Sequence, residues 1–205
     1  MNYDVLADKD SILKAAAALE ERGFHAIVVD TKEEALAKLK SIIPAGASVM
    51  NGSSRTLEEI GFIEYLKSGI HEWNNLHEEV LLEKDPAKQA LLRKQSVLSD
   101  YYLGSVHALS RTGEMVIASN SGSQLPHLAF TSPNVILVVS TKKIMSTLSD
   151  ALSRLEDHVV ALEDARMKSI GYGGTMKSKT LILHHENKMM QRTVNVILVE
   201  ENLGF

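Results

Sequence analysis

Ala47-Ser48-Val49-Met50-Asn51-Gly52-Ser53-Ser54-Arg55-Thr56-Leu57-Glu58-Glu59-Ile60-Gly61 changes its hydrophobic period midway, and that change decides the fold. Ala47 to Met50 reads as a short strand. Thr56 and Glu59 stand at capping-box spacing, and Leu57, Ile60, Ile63 and Leu66 then recur on the apolar side of a helix that Gly69 closes. A strand, a polar loop and a helix in this order form the first part of a βαβ unit, whose next strand runs parallel to the first.

The flanking segments repeat the alternation. Upstream, Ile12, Leu13, Ala16 and Leu19 make a helical stripe closed by Gly23, and His25-Ala26-Ile27-Val28-Val29-Asp30 reads as a short buried strand. Thr31 and Glu34 have capping-box spacing for a helix through Ile43, which Pro44-Ala45-Gly46 ends. Downstream, Pro86 suits the first turn of a helix to about Leu98, and the stretch from Leu103 to Leu109 looks extended. Arg111-Thr112-Gly113 supplies a turn into Glu114-Met115-Val116-Ile117-Ala118, which predicts a β-hairpin inside or beside the parallel sheet. Val135-Ile136-Leu137-Val138-Val139 is the continuous apolar run of a central strand buried on both faces. A helix is expected from about Thr147 to Lys168, broken by Gly171-Tyr172-Gly173-Gly174, with two strands beyond it, Thr180–Leu183 and Val194–Val199. The expectation is an α/β protein with helices covering a mostly parallel sheet.

Composition narrows the function classes. A length of 205 residues calls for one domain with a sizeable core. The acidic start Met1-Asn2-Tyr3-Asp4 lacks the basic cluster and apolar run of a secretory signal, and no segment approaches the roughly 20 apolar residues of a membrane span, so a cytoplasmic protein is expected. A formal charge of -4 argues against nucleic acid. With no cysteine, disulfides, thiolate metal sites, cysteine-ligated clusters and a cysteine nucleophile are excluded from this chain, and any electron transfer belongs elsewhere. The eight histidines show no H-E-x-x-H pairing, so neither a metal nor a cofactor is predicted here.

In open α/β sheets ligands bind where strands end and loops lead into helices. Asn51, Gly52, Ser53, Ser54, Arg55 and Thr56 occupy such a place, with a glycine for close approach, three hydroxyls, a fixed cation and a helix N-terminus that favours an anion, carboxylate or phosphate. The spacing is neither that of a Walker loop nor of a G-x-G-x-x-G fingerprint, and a polar turn with a capping threonine fits it equally. A second polar loop, containing Asn120, Ser121, Gly122 and Ser123, leads towards His127. Either it is a flexible turn or the two loops converge on one ligand. His127, with an ordinary pKa of about 6.5, and Glu114, beside the hairpin turn, are the candidate catalytic acid and base; a solvated or packed side chain is the competing reading of each.

Four segments together resemble the LUD family of lactate-utilisation proteins. They are Ser53–Gly61, the stretch from Asp100 to Leu109, Thr112–Val116, and Val194–Phe205, and in order and spacing they cover nearly the whole chain. The T-L-E-E-I-G run and the closing V-I-L-V-E-E-N-L-G-F are the most specific. The resemblance implies the fold shared by glucosamine-6-phosphate deaminase, ribose-5-phosphate isomerase and CoA transferases, a Rossmann-like sheet with a smaller antiparallel portion. It also implies involvement in oxidising L-lactate to pyruvate beside partner subunits that carry iron–sulfur clusters and flavin; a homo-oligomer is compatible with it. Gly52, Ser53, Thr56 and Glu59 are the positions carried over. Many relatives have G-x-G-G-S-M at the first loop, where this chain has Asn51 and Arg55, and relatives often carry a cysteine cluster where it reads Tyr172–Lys179. An enzyme for a sugar phosphate or CoA ester, and a non-catalytic scaffold subunit, are the alternatives to a carboxylate-binding protein.

Overall fold

The computed structural model describes residues 2–205. Its elements are α1 (Lys9–Glu21), β1 (His25–Val29), α2 (Lys32–Ile42), β2 (Ser48–Asn51), α3 (Arg55–Glu59), α4 (Phe62–Lys67), β3 (Asn74–Asn75), α5 (Leu76–Leu82), α6 (Pro86–Gln95), β4 (Tyr101–Gly104), β5 (Ala108–Ser110), β6 (Met115–Ser119), β7 (Asn134–Ser140), β8 (Ile144–Met145), α7 (Leu148–Arg154), α8 (Val160–Ser169), β9 (Lys179–Leu183) and β10 (Thr193–Val199). Six strands form one sheet in the order β1-β10-β7-β4-β2-β3, every neighbouring pair parallel. A smaller mixed sheet has the order β8-β5-β6-β9, with β6 antiparallel to both its neighbours. The α/β architecture expected from the alternating periods is the one observed.

Strand alternation sorts the core into layers. Val135, Leu137 and Val139 of β7 point with Val194, Val196 and Leu198 of β10 towards α1 and the smaller sheet, where Leu109, Met115 and Ile117 meet them. Ile136, Val138, Ile197 and Val199 point the other way, against α2, α3 and α4 through Leu39, Leu57 and Phe62. The outer face of the smaller sheet, through Ala108 and Val116, is covered by α7 and the turn after it, through Ala151, Leu155 and Val159. Each fully buried Val, Leu or Ile in these layers contributes about 1.5–3 kcal/mol, so β7, buried on both faces, anchors the sheet.

Capping-box spacing marks a helix start at Thr31, and α7 begins on a box of its own. Thr31 accepts from the Glu34 N–H at the start of α2, and Thr147 and Asp150 form a reciprocal box at the start of α7. At the decisive loop the signal misleads. Ser54, not Thr56, caps α3, its hydroxyl accepting from the Leu57 N–H at 3.3 Å. The helix expected to continue to Leu66 breaks at Gly61, whose φ of +80° starts α4 in a new direction. The N-terminal dipole invoked for this loop therefore belongs to a helix of only 5 residues.

Three further differences have physical causes. The stretch from Leu103 to Leu109 is not one strand: the chain leaves the main sheet after Gly104 and enters the smaller one at Ala108, with Ser105-Val106-His107 crossing between them. Both halves are apolar and extended, so nothing in the pattern marks the crossing. The helix from Thr147 to Lys168 contains a π-helical turn at Leu155–Val159 between α7 and α8. Finally, β1 is an edge strand, which leaves Val28 exposed where a buried strand was expected. A hairpin forms at the expected turn with only Ala108–Ser110 as its first strand, and the turn needs Gly113 at φ +92° with the Ala18 backbone close behind it. Among the described residues no helix is long and apolar enough to cross a membrane.

Candidate functional site

Where the main sheet's strands end, the chain diverges. From β2 the path leads outward to β3, whereas from the neighbouring β4 it leads the other way towards β7, so the loops after β2 and β4 separate and leave a crevice at their carboxyl ends. That crevice opens into a cavity of about 590 Å³, walled on its far side by the π-helical turn and α8. Gly52 to Thr56 line it from β2, Gly104 to His107 from β4, Asn120, Ser121 and Ser123 from the loop after β6, and Lys143 from the turn after β7. The two polar loops singled out in the sequence thus face one cavity.

Tyr102 fixes the two loops relative to each other. Its ring is 1% exposed, and its hydroxyl donates to Gln124 Oε1 at 3.3 Å, while the Gln124 amide donates to the Ala118 carbonyl at 2.9 Å. The same hydroxyl lies against Gly52, where a Cβ would come within 2.5 Å of it. Gly52 is therefore glycine for close approach and not for an unusual φ. Burial pushes the Tyr102 phenol up, so it stays protonated and acts as a donor. Behind it the His127 ring stacks at 4.3 Å.

Lys143 forms the floor. It is 3% exposed, and its Nζ donates to Thr56 Oγ1 at 3.0 Å, Ser105 Oγ at 3.1 Å and the Val106 carbonyl at 3.2 Å. These are neutral acceptors; among the described residues no carboxylate lies within the 4.0 Å of an ion pair. Burial first, then Arg154 and Lys142, hold its amine well below the usual lysine value, and Glu59 acts in the opposite sense. Leu203-Gly204-Phe205 closes over this group: the Gly204 N–H donates to Glu59 Oε2 at 2.6 Å, and Phe205 lines the cavity.

The lining carries Arg55, Arg93, Lys143, Arg166 and Lys177 against a single carboxylate, Glu163. Several of these cations are already engaged. Arg55 pairs with Glu58 and Glu59, Lys177 with Glu156, and Arg166 with Glu163, while Arg166 Nη2 also reaches across to Ser53 Oγ at 3.2 Å. Arg93, at the rim, is in no ion pair among the described residues. The arrangement supplies hydroxyls and backbone at the floor and guanidinium groups beside them, donors that suit the oxygens of a small anion.

The predicted residues divide between the cavity and its supports. Gly52, Ser53, Ser54, Arg55, Thr56, Asn120, Ser121 and Ser123 line it. Asn51 lies beneath, 3% exposed, its Nδ2 donating to the Gly52 carbonyl and its Oδ1 without a partner. Gly122 shapes the second loop at φ +86°, packed on the Lys179 side chain. The two candidate catalytic groups, Glu114 and His127, do not line this cavity. Glu114 closes the hairpin turn, bonded to Ser110, to Thr112 at 2.6 Å and to Arg22 at 2.6 Å. Burial would raise its carboxyl, but the hydroxyls of Ser110 and Thr112, its own N–H and the Arg22 guanidinium outweigh it and bring it down to about 2. His127 is buried against Tyr102 with Ser132 Oγ at 2.9 Å, and burial pushes it down to about 4, so it is neutral at physiological pH. In these positions Glu114 braces a turn and His127 backs the tyrosine.

Lys143, Tyr102 and Arg166 were not found in the sequence. Lys143 stands in Thr141-Lys142-Lys143, which reads as a solvated basic turn, and only the contact with Thr56 reveals it. Tyr102 lay within a segment already singled out, and the adjacent Gly104, whose Cβ would meet its ring at 3.2 Å, was the available signal.

The fold is an α/β protein with a hydroxyl-lined cavity at the carboxyl ends of its parallel sheet, the place where open α/β sheets bind ligands. The LUD domain family model matches residues 12–199, and the chain belongs to the LUD domain family. A DUF162 family protein from Deinococcus radiodurans is similar in structure at a TM-score of 0.57 and 14% identity, over 95% of this chain and 99% of that one; at this identity the likeness shows the fold alone. Ribose 5-phosphate isomerase A from Neisseria gonorrhoeae aligns over 98% of this chain and 97% of its own at a TM-score of 0.39 and 12% identity, and no argument rests on it. No curated protein matches.

Proposed function

We propose that this chain binds a small carboxylate of the 2-hydroxy or 2-oxo acid class, L-lactate or pyruvate, in the cavity between the β2–α3 loop and the loop after β6. Membership of the LUD domain family supports a role related to lactate utilisation. The observation that carries the reading is the meeting of those two loops around one cavity that also receives the buried amine of Lys143 and the Arg166–Ser53 contact. The acid is much smaller than the cavity of about 590 Å³ and takes only its floor: hydroxyl and guanidinium donors take its carboxylate oxygens, and Lys143 with Thr56 and Ser105 faces the 2-oxygen.

This chain has no cysteine with which to hold an iron–sulfur cluster, so in a lactate-oxidising system any such cluster is carried by a partner subunit. The task of this chain there is to hold the acid. Calorimetric titration of the purified protein with L-lactate, pyruvate and inorganic phosphate tests the reading. Saturable binding of the two acids with weaker binding of phosphate is expected; tight phosphate binding with none of either acid would replace it with a phosphate site.

A further inference from the structure

Lys142 and Lys143 are neighbours in sequence, and the fold treats them differently. Lys142, itself buried, is given a counter-ion: its Nζ lies 2.9 Å from Asp4 Oδ1. Lys143 is given none, only the two hydroxyls and one carbonyl described above. The charged groups that face it are Arg154 from α7, Lys142 beside it and Glu59 from α3, with His107 on the crossing segment, neutral because burial above all pushes it down to about 3. Two cations against one carboxylate, in a buried setting, favour the amine that has lost its proton. Lys143 also lines the cavity, as do Thr56 and Ser105.

We propose that Lys143 is a reactive amine that forms an imine with the carbonyl carbon of a small 2-oxo acid held in this cavity. The inference rests on the carboxylate-binding reading above. As an ammonium, Nζ has three hydrogens for its three acceptors and no electron pair. After one proton is lost through the Thr56 or Ser105 hydroxyl, the pair is presented to the ligand. It attacks the carbonyl carbon, a C–N bond forms, and the carbonyl oxygen takes up a proton to give a carbinolamine. Loss of that hydroxyl with a proton, as water, leaves the imine, with no oxidant or reductant consumed. Thr56 and Ser105, each bonded to Nζ and open to the cavity, carry the protons. Gly204 keeps the floor tight, since a Cβ there would stand 3.1 Å from Nζ.

The test uses the whole wild-type chain, so it does not depend on a variant folding. The protein is incubated with pyruvate and a mild borohydride at neutral pH, and the reduced adduct is located by peptide mass mapping, with the exposed lysines as internal controls. Labelling of Lys143 is expected to exceed that of any exposed lysine by on the order of 10-fold or more, because each unit of pKa lowering raises the neutral fraction tenfold. L-lactate, which has the carboxylate and no carbonyl, should suppress it by competition. If lactate and pyruvate both bind by calorimetry while Lys143 carries no more adduct than the surface lysines, the reactive-amine inference is overturned and the carboxylate site stands. If neither acid binds and Lys143 is unlabelled, both fall. If acetone labels Lys143 as well as pyruvate does, the assignment to a 2-oxo acid is overturned.

Discussion

The Gly204 N–H donates to Glu59 Oε2 at 2.6 Å, joining two stretches 145 residues apart in sequence. These are the T-L-E-E-I-G and L-G-F segments that make the chain recognisable. Their junction lies directly over Lys143, which ties the features of the family to the floor of the cavity rather than to the core.

Replacing Gly204 with alanine should disturb that junction from two sides. The residue has φ +65°, and a Cβ would collide with Thr56 Oγ1. We expect Gly204→Ala to cost about 1–3 kcal/mol, read as a lower urea midpoint with an unchanged m-value, and to weaken lactate binding.

The tether between the loops can be tested by a double-mutant cycle. Gly52→Ala places a methyl 2.5 Å from the Tyr102 hydroxyl and should cost about 1–3 kcal/mol. Tyr102→Phe loses the bond to Gln124, worth about 1 kcal/mol. Because the phenylalanine leaves room for the methyl, the double variant should be less destabilised than the sum, with a coupling of about 0.5 kcal/mol or more. Strict additivity in denaturation experiments would mean that the hydroxyl does not hold Gly52.

The fold was legible where a local pattern had one physical cause. The continuous apolar run of β7 implies a strand buried on both faces, and the Thr31 cap marks a helix start because its hydroxyl satisfies an N–H group nearby in sequence. The loops at Gly52 and Gly122 were legible as polar breaks at strand ends, and their convergence required the sheet order. What local pattern does not carry is long-range pairing. Thr56 has the spacing of a cap, yet its hydroxyl serves a lysine 87 residues away. Leu103 and Leu109 look like one strand because two different sheets bury them. Glu114 and His127 are polar groups beside turns, and only the fold shows that Arg22 and Tyr102 engage them.

Acid should destabilise the protein in two stages. His107 and His127 are held neutral, at about 3 and about 4 against an ordinary 6.5. The unfolded chain therefore takes up protons first, and their contribution, complete above pH 6.5, is lost as pH falls towards those values. Glu114, lowered from 4.5 to about 2, contributes fully above pH 4.5 and loses that contribution as pH falls through 2. His127→Phe, which keeps an aromatic ring against Tyr102, should reduce the slope of stability between pH 6.5 and 4 by close to one proton, measured by urea unfolding at a series of pH values.

Two of the cavity's three arginines, Arg55 and Arg166, should differ. Arg55 is half-exposed and paired along its own helix with Glu58 and Glu59, so Arg55→Ala should change stability by about 1 kcal/mol or less and lactate affinity only slightly. Arg166 spans from α8 to Ser53. Removing it should cost about 1.5–3 kcal/mol of lactate binding, a loss of about tenfold or more by calorimetry.

The central claim is that a small carboxylate occupies the cavity between the Gly52 and Gly122 loops. Calorimetric titration of the wild-type chain and of Arg166→Ala with L-lactate, at low ionic strength, tests it most directly. The account predicts one saturable site in the wild type and a loss of affinity of about tenfold or more in the variant. Absence of saturable heat in the wild type, or equal affinity in the two proteins, would contradict it.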